Sequence, residues 1–190
     1  MKNIIIITLL LISLVSCTEE KDVDYKDYKI ITLASEISSY YDIKLDTSGI
    51  VESGRIRKYI DGSFDFKYSY ELLETNDYLP LYYSIKIEKE NSIKDAIENF
   101  NLSKVTLLTT NKSIGQDIIE IDSLGLYGEQ DYYAIRTKDN EPNGLFFMTR
   151  KNEYLYTLIM TGLYSSDHSL ILDLVIPKIE ELDKFSLKRN

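Results

Sequence analysis

The sequence predicts an α+β domain built on an antiparallel sheet, and three observations carry that expectation. First, Phe64, Phe66, Tyr68 and Tyr70 alternate with Ser63, Asp65, Lys67 and Ser69, the two-residue period of a strand with one face buried. Second, the segments 131–138, 145–150 and 154–163 are rich in β-branched and aromatic residues and are separated only by turn-forming stretches, which reads as a meander. Third, Ser92 and the group Ser165-Ser166-Asp167 each precede apolar residues at helical spacing, as helix caps do.

Taken from the N-terminus, Met1-Lys2-Asn3 leads into an apolar run from Ile4 to Val15, broken only by Thr8 and Ser13. One basic residue, a short hydrophobic core and small residues before Cys17 make up a secretory signal. The run is shorter than the 20 or so residues that a membrane-spanning helix needs. Leu14-Val15-Ser16-Cys17 resembles the lipobox of bacterial lipoproteins. That resemblance implies cleavage before Cys17, residues 1–16 as signal peptide, and a lipid-modified Cys17 as the first mature residue. Cys17 is the sole cysteine. As a lipid attachment point it has a chemical reason that a lone exported thiol lacks, and several acyl chains anchor stably where one alone binds marginally.

Residues 18–29 carry Glu19, Glu20, Lys21, Asp22, Asp24, Lys26, Asp27 and Lys29. This composition predicts a solvated tether over 17–29, with a single domain over 30–190. Glu19-Glu20 resembles the acidic export signal of surface lipoproteins of Bacteroidetes, which implies an outer-membrane, surface-facing location in a Gram-negative envelope. Asp22, Asp24 and Asp27 lack the glycine and closing glutamate of an EF-hand loop. From Ile30 onward, Ile30, Leu33, Ile37 and Tyr41 fit a helical face while the β-branched pairs favour a strand; both readings stand.

Asp61-Gly62 marks a hairpin. A two-residue loop would set Ile56 and Ile60 on the face of Asp65 and Lys67. A three-residue loop with Gly62 at positive φ instead pairs Ile56 with Phe66 and Arg57 with Asp65, and is chemically consistent. Leu81–Lys89 is the next strand, with Tyr83, Ile85 and Ile87 on one face. A helix follows Ser92, with Ile93, Ala96, Ile97 and Phe100 on its stripe, and is predicted to end within 104–108. Asn111–Gly115 reads as a loop and Gln116–Ile121 as a short strand with Ile119 and Ile121 inward. The six residues Asp139–Gly144 and the three residues Lys151–Glu153 separate the meander strands. The closing helix carries Ile171, Val175, Ile179 and Leu182, with Pro177 expected to kink it.

The order of an aromatic hairpin, a strand, a capped helix, a short strand, a three-strand meander and a helix ending "IEELDKFSL" spans Gly54 to Leu187. That layout resembles the PsbP-like family, which includes the extrinsic P subunit of photosystem II, a small Ran-binding import factor and many bacterial lipoproteins. The resemblance implies a central antiparallel sheet with helices packed on both faces, an α/β/α sandwich, and a non-enzymatic role. The chain departs from the family in having no tryptophan.

The balance of 22 basic against 31 acidic side chains gives a net charge of −9, moving to about −10 once Lys2 leaves with the signal. That argues against nucleic acid as a partner. No G-x-S-x-G and no glycine-rich phosphate loop are present, and His168, the single histidine, needs a partner and a nucleophile before it can act. It is placed in the first turn of the last helix. The pairs Glu180-Glu181 and Asp95 with Glu98 fall on helix exteriors, where a carboxylate stays solvated rather than poised for acid–base work. No catalytic residue, metal or cofactor is assigned.

The sixteen tyrosines are the remaining feature. In the doublets Tyr82-Tyr83 and Tyr132-Tyr133 strand alternation sends one ring to each face. Tyr82 and Tyr132 are predicted outward and exposed, as candidate binding residues; Tyr83 and Tyr133 inward. Arg55, Arg57, Arg136 and Arg150 lie on strands where each can stack on a tyrosine. The expected function is that of a membrane-anchored envelope lipoprotein acting as a binding or assembly factor for a protein or glycan partner. The alternatives are a glycan- or peptide-capturing surface lipoprotein that uses exposed tyrosines, and a hydrolase with an unrecognised site.

Overall fold

A computed structural model describes residues 17–42, 50–72, 81–121, 127–164, 166 and 168–188. The signal segment 1–16 and the expected helix caps Ser165 and Asp167 lie outside the described residues.

Eight strands form one antiparallel sheet: β1 (Cys17–Asp22), β2 (Ile50–Tyr59), β3 (Phe64–Leu72), β4 (Leu81–Lys89), β5 (Asp117–Glu120), β6 (Gln130–Lys138), β7 (Glu141–Lys151) and β8 (Tyr154–Thr161). Their spatial order is β1-β2-β3-β4-β8-β7-β6-β5. Helix α1 (Ala34–Tyr41) follows β1, α2 (Ile93–Ser113) connects β4 to β5, and α3 closes the chain as a π-helical turn, Leu170–Val175, running into α-helical Ile176–Ile179. The class is α+β, as the sequence predicts.

The aromatic hairpin has the three-residue loop. Ile56 pairs with Phe66 and Arg57 with Asp65, Gly62 sits at φ +89°, and the Tyr59 amide donates to the Ser63 carbonyl at 3.0 Å. A register one residue away would turn Phe66, Tyr68 and Tyr70 into water.

Buried side chains fall into two clusters. One gathers Phe66, Tyr68, Tyr83, Ile85, Ile87, Tyr133, Phe147, Tyr156 and Leu158 from the strands with Ile31, Ala34 and Ile37 near and in α1, and Leu170, Ile171, Val175 and Ile179 of α3. The other gathers Tyr132, Ala134, Phe146, Met148 and Leu155 with Ala96 and Phe100 of α2. Each fully buried Phe or Ile contributes about 1.5–3 kcal/mol, and with one cysteine in the chain packing has to carry the fold. Phe185 returns to the sheet and meets Tyr28, Phe64 and Phe66 at ring-centroid distances of 5.9, 6.0 and 6.2 Å.

Several expectations are corrected. The segment expected as a solvated tether begins with β1, because β2 offers it a matching row of cations. Glu19 accepts from Lys58 at 2.9 Å, Glu20 from Arg57 at 3.0 Å, and Asp22 from Arg55 at 3.3 Å. The ambiguous segment after Ile30 is extended through Leu33 and helical from Ala34. Glu36 accepts from the Leu33 amide at 2.8 Å, and Lys178 of α3 donates to Glu36 at 2.7 Å and to the Ile31 carbonyl at 2.8 Å.

Helix α2 continues past 104–108 to Ser113. Its polar residues Thr106, Thr109 and Asn111 donate to carbonyls one turn back rather than breaking it, and Gly115 at φ +72° lets the chain leave. The β6–β7 connection is a two-residue turn, not six. Asp139 and Asn140 take φ values of +54° and +64°, which fits the twist of a hairpin, and Glu141 and Pro142 already pair with β6. Ile119, expected inward, is 52% exposed, because β5 is an edge strand whose Ile118 is the residue packed toward α2. Helix α3 has no side-chain cap. Pro177 lies where the π-helical turn passes into the short α-helical part, and its missing amide removes one bond from the ladder there.

Candidate functional site

Strand alternation puts Arg136 and Arg150 at opposite ends of neighbouring strands, and the two make an instructive pair. Arg150 is 5% exposed and fully partnered. Its Nε donates to Gln130 at 2.6 Å, and its Nη1 donates to the Glu129 carboxylate and to the Asn152 carbonyl, the latter at 3.0 Å. Arg136 repeats the first of these contacts, Nε to Gln116 Oε1, but not the second. Among the described residues no carboxylate forms an ion pair with it, and burial pushes its pKa below the usual arginine value. The guanidinium stays charged at any physiological pH.

Arg136 lines a cavity of about 540 Å³ together with Gln116, Lys138, Asn143, Thr161 and Gly162. The β6–β7 turn forms one wall, and Gln116, just beyond the C-terminus of α2, fixes the guanidinium plane. Asp139 and Glu141 stand on the rim-forming turn, so the cavity is not a broad positive field. It offers one oriented planar cation flanked by amide groups, which matches a single carboxylate or phosphate oxygen pair. The sequence reading placed Arg136 on a strand but saw only ring stacking for it. Nothing local separates it from Arg150, since Gln130 has Glu129 beside it and Gln116 has Asp117; the difference lies in which carboxylate the fold brings to the guanidinium.

The tyrosine candidates divide. Tyr83 and Tyr133 are inward, as expected. Tyr82 is half-buried at the end of β4. Tyr132 does face opposite to Tyr133, but it is only 4% exposed, which corrects the expectation of an open ring. Helix α2 covers it, with Lys104 Nζ 4.3 Å above the ring and 2.9 Å from Glu120. No tyrosine lines the Arg136 cavity. Arg55 and Arg57 are engaged with Glu20 and Asp22, and the cations found over tyrosine rings are lysines 26, 89 and 104.

His168 precedes α3 rather than lying in its first turn. It adopts φ +60°, and its carbonyl accepts from the amides of Ile171 and Leu172. Its Nδ1 is 3.0 Å from the Tyr133 hydroxyl, whose own pKa burial pushes well upward. A phenol kept neutral beside an imidazole is a hydrogen-bond partner, not a nucleophile. Nearby, Tyr41 bonds Ser169 at 3.2 Å and Tyr40 donates to Asp173, so this corner ties α1 and β6 to the start of α3.

The carboxylates that sit closest to one another across strands, Asp65 and Glu88, are both partnered. Asp65 accepts from Tyr59 at 2.8 Å, and Glu88 from Lys86 at 2.5 Å and Asn99 at 3.2 Å. Asp95, Glu98, Glu180 and Glu181 are exposed. Among the described residues no group of three His, Cys, Asp or Glu side chains converges. Comparisons of the chain with protein-family models, with curated proteins and with solved structures find no match, so the candidate site rests on its geometry.

Proposed function

We propose that this chain is a lipid-anchored protein of the bacterial cell envelope, held through Cys17, that binds a protein partner without chemistry of its own. The PsbP-like reading belongs to this proposal. It is supported by α1 and α3 contributing to one buried cluster and α2 to the other, a division that fits a sheet covered on both faces. An outer-membrane location in a Gram-negative cell, surface-facing, follows from the acidic residues after Cys17.

The observation that carries the binding role is Arg136: a cation held by Gln116 inside a cavity, with no carboxylate partner among the described residues of the kind its counterpart Arg150 has. A partner's carboxylate, from a side chain or a chain terminus, supplies what is missing. Glycan capture by stacked tyrosines finds no support in a cavity without tyrosines. Hydrolysis finds none in the His168–Tyr133 pair.

Two measurements test the reading. Cys17→Ala moves the protein from the membrane fraction to the soluble fraction; a variant that still pellets with membranes overturns the anchor. A photo-crosslinker at Asn143, beside Arg136, captures a discrete partner in intact cells, and the capture is lost in Arg136→Gln. Equal capture from Asn143 and from Lys94 on the exposed face of α2, with no dependence on Arg136, overturns the cavity as the binding surface.

A further inference from the structure

Resting on the lipid-anchor reading above, we infer that the anchored domain has no spacer and stands directly on the bilayer, with the β2–β3 hairpin tip at the lipid interface and the Arg136 cavity at the far end. The inference starts from where β1 begins. Cys17, the residue that would carry the acyl chains, is itself the first residue of β1, and its backbone is opposite Tyr59. Opposed residues on antiparallel strands lie about 4.5–5.5 Å apart between Cα atoms. The lipid is therefore attached one strand-width from the turn Ile60-Asp61-Gly62.

A flexible tether of a dozen residues would let a domain tumble tens of ångströms from the membrane. Here that length is used up in pairing. The ion pairs of Glu19, Glu20 and Asp22 with Lys58, Arg57 and Arg55 hold β1 along β2, so the anchor fixes an orientation as well as a location.

The end of the molecule brought to the bilayer is suited to it. Ile60, at the hairpin tip, is 62% exposed. Asn91 donates to Asp61 at 2.6 Å, which fastens the segment before α2 to the same tip and brings Ile93, 45% exposed, to that end. Lys58 at this end is already neutralised by Glu19, so contact depends on the acyl chains and on apolar side chains, not on anionic lipid.

The strands then run away from the membrane. Tyr154 of β8 pairs with Lys89 and Lys151 near the hairpin end, while Thr161 pairs with Tyr82 and Gly144 at the other. The eight residues between them span roughly 25 Å at about 3.3 Å per residue. Thr161 lines the Arg136 cavity, which therefore opens away from the lipid, toward a soluble or opposing partner.

Because Cys17 is the only cysteine and is modified, an introduced cysteine is the only free thiol. The full chain is purified in its acylated form, with Ile60→Cys or Asp139→Cys carrying a nitroxide, and placed in phosphatidylcholine vesicles. The ratio of collision rates with oxygen to those with a neutral nickel complex is expected to be several-fold higher at position 60 than at position 139. It is expected to hold in 1 M salt. Inserting a Gly/Ser linker of about ten residues after Cys17 brings position 60 to the value of position 139 while the protein stays on the vesicles. Equal ratios at the two positions in vesicle-bound protein overturn the orientation and leave the anchor intact. If the chain purified from membranes carries no acyl groups, or if the acylated chain fails to co-float with vesicles, the anchor is overturned, and the orientation with it.

Discussion

Gly144 is the position where a single added carbon tests the sheet most sharply. It lies in β7 opposite Thr161, at φ +138°. A Cβ there would sit inside the contact radius of the Met160 carbonyl oxygen, 2.9 Å from Thr161 Cα and 3.0 Å from the Met160 carbonyl carbon. All three are backbone atoms of a central strand, so nothing flexible can give way. Positive φ in a residue with a side chain costs about 1–3 kcal/mol, and forcing a packed backbone apart costs about 1–3 kcal/mol more. Gly144→Ala should therefore lose about 4 kcal/mol. Gly62→Ala is the matched control: φ is also positive, +89°, but no atom lies within 4 Å of the added carbon, so only the first cost applies. Urea unfolding of the mature chain with Cys17→Ser reads both. Gly144→Ala should shift the midpoint well below that of Gly62→Ala at unchanged m, with a melting temperature about 8–16 °C below the parent. Two variants within about 0.5 kcal/mol of each other would show that β7 and β8 are not in this register, and the reasoning would fail.

Four further outcomes follow from side chains. Tyr156 carries a fully buried hydroxyl without a hydrogen-bond partner among the described residues; Tyr156→Phe should stabilise by about 1 kcal/mol, and a comparable loss in thermal or urea unfolding would mean the hydroxyl is bonded. Lys104 bridges Glu120 and the Tyr132 ring, so Lys104→Met should cost about 1 kcal/mol. Lys94→Met, at an exposed pair with Glu98, should change stability by less than about 0.5 kcal/mol. For Glu90, burial first and then Glu88 and Asp95 raise the pKa, with the Asn99 hydrogen bond opposing. A raised folded-state pKa means the native chain holds its proton longer than the unfolded one, so this group's contribution declines as pH rises through and above the unfolded value near 4.5. Glu90→Gln should therefore gain on the parent between pH 4 and pH 7; an advantage that shrinks over that range would reverse the sign.

The readable parts of this chain were those set by neighbours in sequence. Alternation of aromatic and polar residues in β3, the run Tyr83-Ser84-Ile85-Lys86-Ile87 in β4, and the spacing around Asp61-Gly62 specify strands, faces and hairpin register, because a side-chain period of two and a glycine at positive φ are local facts. The charge match of Arg57 with Asp65 distinguishes the three-residue loop from the two-residue one by local spacing alone. The misread parts were long-range. Glu19, Glu20 and Asp22 look like solvent-facing acids until Arg55, Arg57 and Lys58, more than thirty residues later, line up opposite them. Tyr132 alternates outward as expected and is then covered by a helix whose length depended on hydroxyls and an amide bonding back to the chain.

The candidate site shows the same division. That Arg136 lies on a strand is a matter of local pattern. That Gln116 grips it, that the β6–β7 turn walls it in, and that Glu129 serves Arg150 while no described acid pairs with Arg136 are matters of which distant segments meet. From residue order alone come the α+β class and the hairpin register, since each depends on contacts within a few residues. Only the folded chain decides that Cys17 starts a strand instead of a tether and that one guanidinium, Arg136, has no carboxylate partner among the described residues. Pairing across a sheet and burial under a helix bring together residues that composition and periodicity cannot relate.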